Sequence, residues 1–219
     1  MNSKASVKRV LEAFDHLYPQ DGKCFLNYET PWQLLFATIL SAQCTDERVN
    51  KVTATLFADF PNLEAFASAD ISDLEKAVRQ TGFFRMKAMH LQKSARSLLA
   101  NHEGVLPSCI EDLTQLSGVG RKTANVVRGH IFGIPSIVVD THVKRISNKL
   151  GFTKSQDPVK IEFELMELLP QKSWIAYNQQ AITHGREVCI ARSPKCDTCE
   201  IIRECVWPGK KLLLNLNRM

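Results

Sequence analysis

Four cysteines crowd into seventeen residues late in the chain, Cys189, Cys196, Cys199 and Cys205, with the spacing C-x6-C-x2-C-x5-C. Thiolates are soft ligands, and four together suit a zinc ion or an iron–sulfur cluster. The spacing does not choose between the two, since it matches neither the paired C-x2-C of a zinc ribbon nor the ferredoxin run. Arg192, Lys195 and Arg203 lie among these cysteines, either as positive charge offered to a polyanion or as ordinary solvated surface. The other three of the seven cysteines, Cys24, Cys44 and Cys109, stand singly among apolar residues and read as small buried hydrophobes. An odd total with no visible export signal argues for metal binding and against a disulfide framework.

A second constellation is the run Leu116-Ser117-Gly118-Val119-Gly120-Arg121-Lys122-Thr123-Ala124. Two glycines here make a tight turn between helical patterns, and the N–H groups at the next helix start face outward as a cradle for phosphate. Such a cradle grips a nucleic-acid backbone without reading its sequence. Lys122 is the unusual member, because a cation in a first helical turn opposes the macrodipole and gains nothing structurally. The same positive potential, with Arg121 beside it, favours the free amine, the form that acts as a nucleophile. A lysine that merely grips a phosphate is the alternative. Asp140 follows in Val138-Val139-Asp140-Thr141-His142, where it reads as a helix N-cap or as a carboxylate held for chemistry. Breaking an N-glycosidic bond builds positive charge on the sugar, which a carboxylate stabilises while an amine attacks the sugar carbon to form a Schiff base.

The elements that must hold these residues are helices. Val7, Val10, Leu11, Phe14 and Leu17 mark one apolar stripe, and Trp32, Leu35, Phe36, Ile39 and Leu40 another. Further helices are expected near 46–60, 71–80, 84–102, 109–115, 121–131, 140–150, from 158 to a stop at Pro170, and 173–187. Ser108 with Glu111 has the form of a capping box. The extended run 134–139 has no strand to pair with and reads as a connector at a glycine and proline seam. A hydrophobic share of 44% is ordinary for a globular chain, and no apolar run is long enough to cross a bilayer. The N-terminus shows no secretory pattern, so a cytoplasmic, nucleoid-associated location is expected, and a net charge of +5 is compatible with a polyanionic partner.

Taken together, these residues resemble the endonuclease III family of helix-hairpin-helix DNA glycosylases, from about residue 5 to residue 207. Three segments carry the likeness: Leu40-Ser41-Ala42-Gln43 with Thr45-Asp46, the run from Gly118 to Val127, and His184-Gly185-Arg186 leading into the cysteines. The resemblance implies an all-α, two-domain fold with a C-terminal iron–sulfur loop. A six-helix domain of residues 23–133 would stand beside a second domain of residues 1–22 and 134–219, with the active cleft between them. Lys122 would be the Schiff-base nucleophile, Asp140 the assisting carboxylate, and the four cysteines the ligands of a [4Fe-4S] cluster. Gly118, Gly120, Arg121 and Thr123 would hold the DNA backbone, with Arg192 and Lys195 adding contacts from the cysteine loop. Gln43 would enter the base stack as the damaged nucleotide flips out, its alternative being a polar helix cap, and Phe83 would be a second wedge.

The implied activity is base-excision repair of oxidised or ring-saturated pyrimidines in double-stranded DNA by a monomer, with β-elimination at the abasic site. Two departures from the family pattern are visible: Ser117 where proline is common, and a longer tail, Lys210 to Met219. Adenine glycosylases, which usually lack the hairpin lysine, fit less well. A non-catalytic phosphate-gripping module with a zinc knuckle is the other alternative.

Overall fold

The structure is a computed structural model that describes residues 4–18 and 24–210. The described residues are helical, with no strand: α1 Lys4–Leu17, α2 Pro31–Leu40, α3 Asp46–Asp59, α4 Leu63–Ser68, α5 Ile71–Val78, α6 Phe84–His102, α7 Ile110–Gln115, α8 Arg121–Phe132, α9 Thr141–Lys149, α10 Pro158–Leu168 and α11 Trp174–Glu187. They divide into two compact units, Lys23–Ile134 on one side and Met1–Gly22 with Pro135–Met219 on the other. The expected boundary at residues 22 and 23, and the tail beyond Lys210, lie outside the described residues.

In the first unit α2 is apolar on every face and is buried from Gln33 to Leu40, so its neighbours must wrap it on all sides. Among them α3, α6 and α8 pack directly against it. Trp32, Phe36, Phe57 and Phe66 meet edge-on, with centroids 4.9–5.7 Å apart, the arrangement that ring quadrupoles favour. The chain enters α2 through Gln33, whose side-chain oxygen accepts from the backbone N–H groups of Glu29 and Thr30 at 2.7 and 3.0 Å. The second unit packs Val10 and Phe14 of α1, Ile146 of α9, Ile161 and Leu165 of α10 and Tyr177 of α11 into one core. The buried Tyr177 hydroxyl is satisfied by the Ser147 hydroxyl at 2.8 Å.

Three local expectations are corrected. The α7 start is one residue later than a Ser108 cap requires: Cys109 is the N-cap and gives its thiol hydrogen to the Glu111 carboxylate. Cys109 is therefore exposed and paired, not buried in an apolar site. The expected helix to residue 80 ends at Val78 and tightens into a 3₁₀ turn, Arg79–Thr81. One helix had no expectation at all: α4 has six residues, too few for a periodic stripe, and is fixed by Asn62, whose side chain accepts from Ala65 N–H at 2.8 Å.

Candidate functional site

The hairpin joins α7 to α8. Gly118 has φ +79°, and a Cβ there would fall 2.7 Å from the ring of His90, so both backbone and neighbour demand glycine. Ser117 is anchored on α6: its hydroxyl meets His90 Nδ1 at 2.9 Å and its carbonyl accepts from the Ser94 hydroxyl at 2.7 Å. Two hydrogen bonds thus tie Ser117 to α6. Burial pulls the His90 imidazole down, and Lys93 adds to the effect. Val119 turns inward as a buried plug, while Gly120 is exposed, extended and without a protein atom within 4 Å of the place a Cβ would take. Gly120 is also the N-cap of α8 and has no side chain to cap it. The first-turn N–H groups behind it have no partner inside the helix. Lys122 is exposed on that turn, with Arg121 and Thr123 half-buried on either side.

Asp140 belongs to the other unit, at the start of α9. Its Oδ1 accepts from Val143 N–H at 2.7 Å, so the N-cap role is real. The residues leading to it are clamped by Asn178 of α11: Oδ1 accepts from Val138 N–H at 3.0 Å and Nδ2 donates to the Ser136 carbonyl at 2.9 Å. Burial pulls the neighbouring His142 imidazole down, against the opposing charge of Asp140 and with the help of Arg145 and Arg186.

Gln43 and Phe83 share an uncommon backbone. Both are exposed non-glycine residues with positive φ, 54° and 46°. Left-handed backbone costs a residue with a Cβ on the order of 1–2 kcal/mol. Such strain persists only where the surroundings over-determine it, and it gathers at functional sites. Gln43 does not cap α2. That role falls to the Ser41 hydroxyl, which donates to the Thr38 carbonyl at 2.8 Å, and to the Lys87 ammonium, which donates to the Leu40 carbonyl at 2.8 Å.

The four cysteines line one pocket, with Ile146, Leu150, His184, Ile201 and Trp207 among its walls. Among the described residues no group of three or more His, Cys, Asp or Glu side chains converges on a position for a single metal ion. Several bonds hold the pocket in shape. Arg145 donates to the Gly185 carbonyl at 2.9 Å and to the Cys189 carbonyl at 3.1 Å, Val206 N–H donates to the Lys149 carbonyl at 2.8 Å, and the Lys149 ammonium sits 3.6 Å from the Trp207 ring centre. Lys210, first residue of the tail, donates to the Ile202 and Cys205 carbonyls. Burial pushes the Cys199 thiol up to about 11, and the other three cysteines push the same way. A bound cation reverses both effects, so the donor set fits a thiolate-held metal group. His184 is buried with Nε2 3.9 Å from Cys199 Sγ and Nδ1 2.9 Å from the Tyr18 hydroxyl, and burial pulls it down to about 4. Arg192, Lys195 and Arg203 are exposed on the same loop.

Sequence reasoning missed three of these residues. Lys87 lies on a buried stripe with Leu91, Ser94 and Leu98, and a lysine in that register was its signal. Asn178 and His90 had none, since their partners are remote backbone and a hydroxyl.

Among the described residues, an all-helical fold with a glycine hairpin running into a helix that presents a lysine has the layout of a helix-hairpin-helix protein. The HhH-GPD superfamily of base excision DNA repair proteins matches residues 36–171. The chain is 48% identical over 205 residues to the endonuclease III of Synechocystis sp., covering 93% of each, and 37% identical over 200 residues to that of Bacillus subtilis, covering 91% of each. A solved structure of a trapped endonuclease III–DNA covalent intermediate superposes with a TM-score of 0.91 at 38% identity, over 97% of this chain and all of that one. The chain belongs to the endonuclease III family. It is accordingly an enzyme of base-excision repair, a DNA glycosylase and abasic-site lyase.

Proposed function

We propose that this enzyme works as a monomer on damaged double-stranded DNA in the cytoplasm, at the nucleoid, and removes oxidised or ring-saturated pyrimidines with Lys122. The amine bonds to C1′ of the deoxyribose as the base departs with the electron pair of the glycosidic bond. The sugar ring then opens to a Schiff base, and loss of a C2′ proton expels the 3′ phosphate by β-elimination. Asp140 stabilises the positive charge that develops on the sugar. Gly118, Gly120, Arg121 and Thr123 hold the phosphates, Arg192 and Lys195 add charge from the cysteine loop, Gln43 enters the stack where the damaged nucleotide flips out, and Phe83 partly unstacks the opposite strand.

The observation that carries this reading is the exposed Lys122 on the first turn of α8, behind a glycine N-cap whose open side meets no protein atom. The trapped covalent complex of a relative 38% identical supports it. Borohydride should capture a covalent complex between this protein and abasic DNA, and Lys122→Ala should abolish the capture. Salt-sensitive DNA binding without any covalent product would instead favour a phosphate-gripping module.

Cys189, Cys196, Cys199 and Cys205 would hold a [4Fe-4S] cluster. Four sulfurs arranged around a pocket suit a group with several metal atoms. When bound, such a cluster would serve structurally, neutralising the thiolates and fixing the loop that carries Arg192 and Lys195. Broad visible absorbance from thiolate-bound iron in the purified protein is expected, and colourless protein containing zinc would overturn the assignment.

A further inference from the structure

Lys87 is only 4% exposed, on α6. Its ammonium donates at 2.8 Å to the carbonyl of Leu40, the last residue of α2, and at 2.6 Å to the carbonyl of Thr81, the last residue of the 3₁₀ turn. Both acceptors are terminal carbonyls that have no partner in their own helix. A positive charge at two helix C-termini is electrostatically favoured, and these are charge-assisted hydrogen bonds. Among the described residues no carboxylate pairs with Lys87, so carbonyl dipoles carry the charge. Burial pulls its pKa down, which marks the cost of keeping the ammonium there.

Each acceptor carbonyl opens a turn with an unusual tip. Leu40 runs through Ser41 and Ala42 to Gln43 in the left-handed region. Thr81 runs through Gly82 at φ +70° to Phe83, also left-handed. Two of the three non-glycine residues with positive φ, Gln43 and Phe83, therefore sit on turns that begin from a carbonyl held by the same buried cation, the third, Glu103, being the C-cap of α6.

We propose that Lys87 is a positioning residue that fixes the Gln43 turn and the Phe83 turn to each other, so that the two side chains enter the DNA stack as one preset tool. The inference rests on the wedge roles proposed for Gln43 and Phe83. Opening a base step is costly, and a pair of wedges set in advance loses less conformational freedom on insertion than two independent ones. Lys87 touches neither the substrate nor the reacting atoms.

The test uses the full chain, with duplexes that carry 2-aminopurine beside an abasic analogue, whose fluorescence rises when the stack is opened. Lys87→Met should lose most of that rise and should cut the lesion duplex on the order of tenfold more slowly, the scale of coupling between residues that act together. Its borohydride capture of single-stranded abasic DNA, which has no stack to open, should stay close to that of the unaltered protein. An equal loss on both substrates means general destabilisation, and a full fluorescence rise in Lys87→Met means independent turns. Either result overturns the proposal. A second arm needs no change at Lys87: Gln43→Ala and Phe83→Ala should each lower the signal, and the double variant should lose less than the product of the two. Multiplicative losses would show uncoupled wedges and overturn the proposal even if Lys87→Met does not fold. If neither single variant changes the signal, the wedge reading fails, and the coupling fails with it.

Discussion

Asp140 carries a structural duty that separates cleanly from its proposed chemical one. One carboxylate oxygen caps α9 through Val143, and asparagine caps nearly as well as aspartate. Asp140→Asn should therefore leave the thermal midpoint almost unchanged while slowing single-turnover base release by about 100-fold or more, the scale of losing one electrostatic stabiliser. Asp140→Ala should add a stability loss of about 0.5–2 kcal/mol from the missing cap. Base release that survives in the asparagine variant would reduce Asp140 to a cap. Lys122 and the cysteines could be picked out as candidates from the sequence because each is odd for its setting, a cation at a positive helix end and four thiols in one short loop, whereas Asp140 read as an ordinary N-cap as much as a carboxylate held for chemistry. Asn178 could not be, because its partners are a backbone N–H and a carbonyl 40 and 42 residues away in the chain, and Lys87 showed only as a lysine on a buried stripe, since its acceptors at Leu40 and Thr81 are backbone carbonyls. Backbone acceptors leave no trace in residue type.

The helices themselves were readable wherever they are long enough to repeat a stripe, as α3 and α6 do, and where a residue punctuates the end, as Gly104 does after α6. They were not readable where six residues make the whole helix, or where the choice between Ser108 and Cys109 as the cap depends on one residue of phase. The hairpin shows what type alone hides, since its two glycines are there for different reasons. Gly118→Ala must place a Cβ at φ +79° against the His90 ring, and should destabilise the protein by about 1–3 kcal/mol. Gly120→Ala has extended backbone and open space, so its stability should move by no more than about 0.5 kcal/mol. Both should weaken DNA binding if phosphate approaches the α8 N-terminus. Denaturant unfolding beside a binding titration at fixed salt separates the two effects. Unchanged DNA affinity in Gly120→Ala would remove the phosphate from this turn.

In each unit burial lowers the pKa of particular histidines, and that sets how the fold responds to acid. His90 and His130 in one unit and His142 in the other all lie below the ordinary value of 6.5, burial being the largest cause for each. A group depressed in this way binds its proton more weakly folded than unfolded. Its contribution is fully present above pH 6.5 and is lost as the pH falls through the folded value. Asp70 and Glu111 are also depressed, by bonds from Ser72 and Cys109, but from ordinary values of 3.8 and 4.5, so their losses come at more acid pH. Lowering the pH from about 8 to about 5.5 therefore isolates the histidines, and the thermal midpoint read by helical circular dichroism should fall by a few degrees, on the order of 2–4 °C per kcal/mol. His130 packs in the last turn of α8 with burial as its whole cause, so His130→Gln should flatten the slope without touching the hairpin. A midpoint that stays level over this range, or a slope that the variant leaves intact, would mean that these imidazoles reach water in the folded protein and that their burial does not govern its acid response.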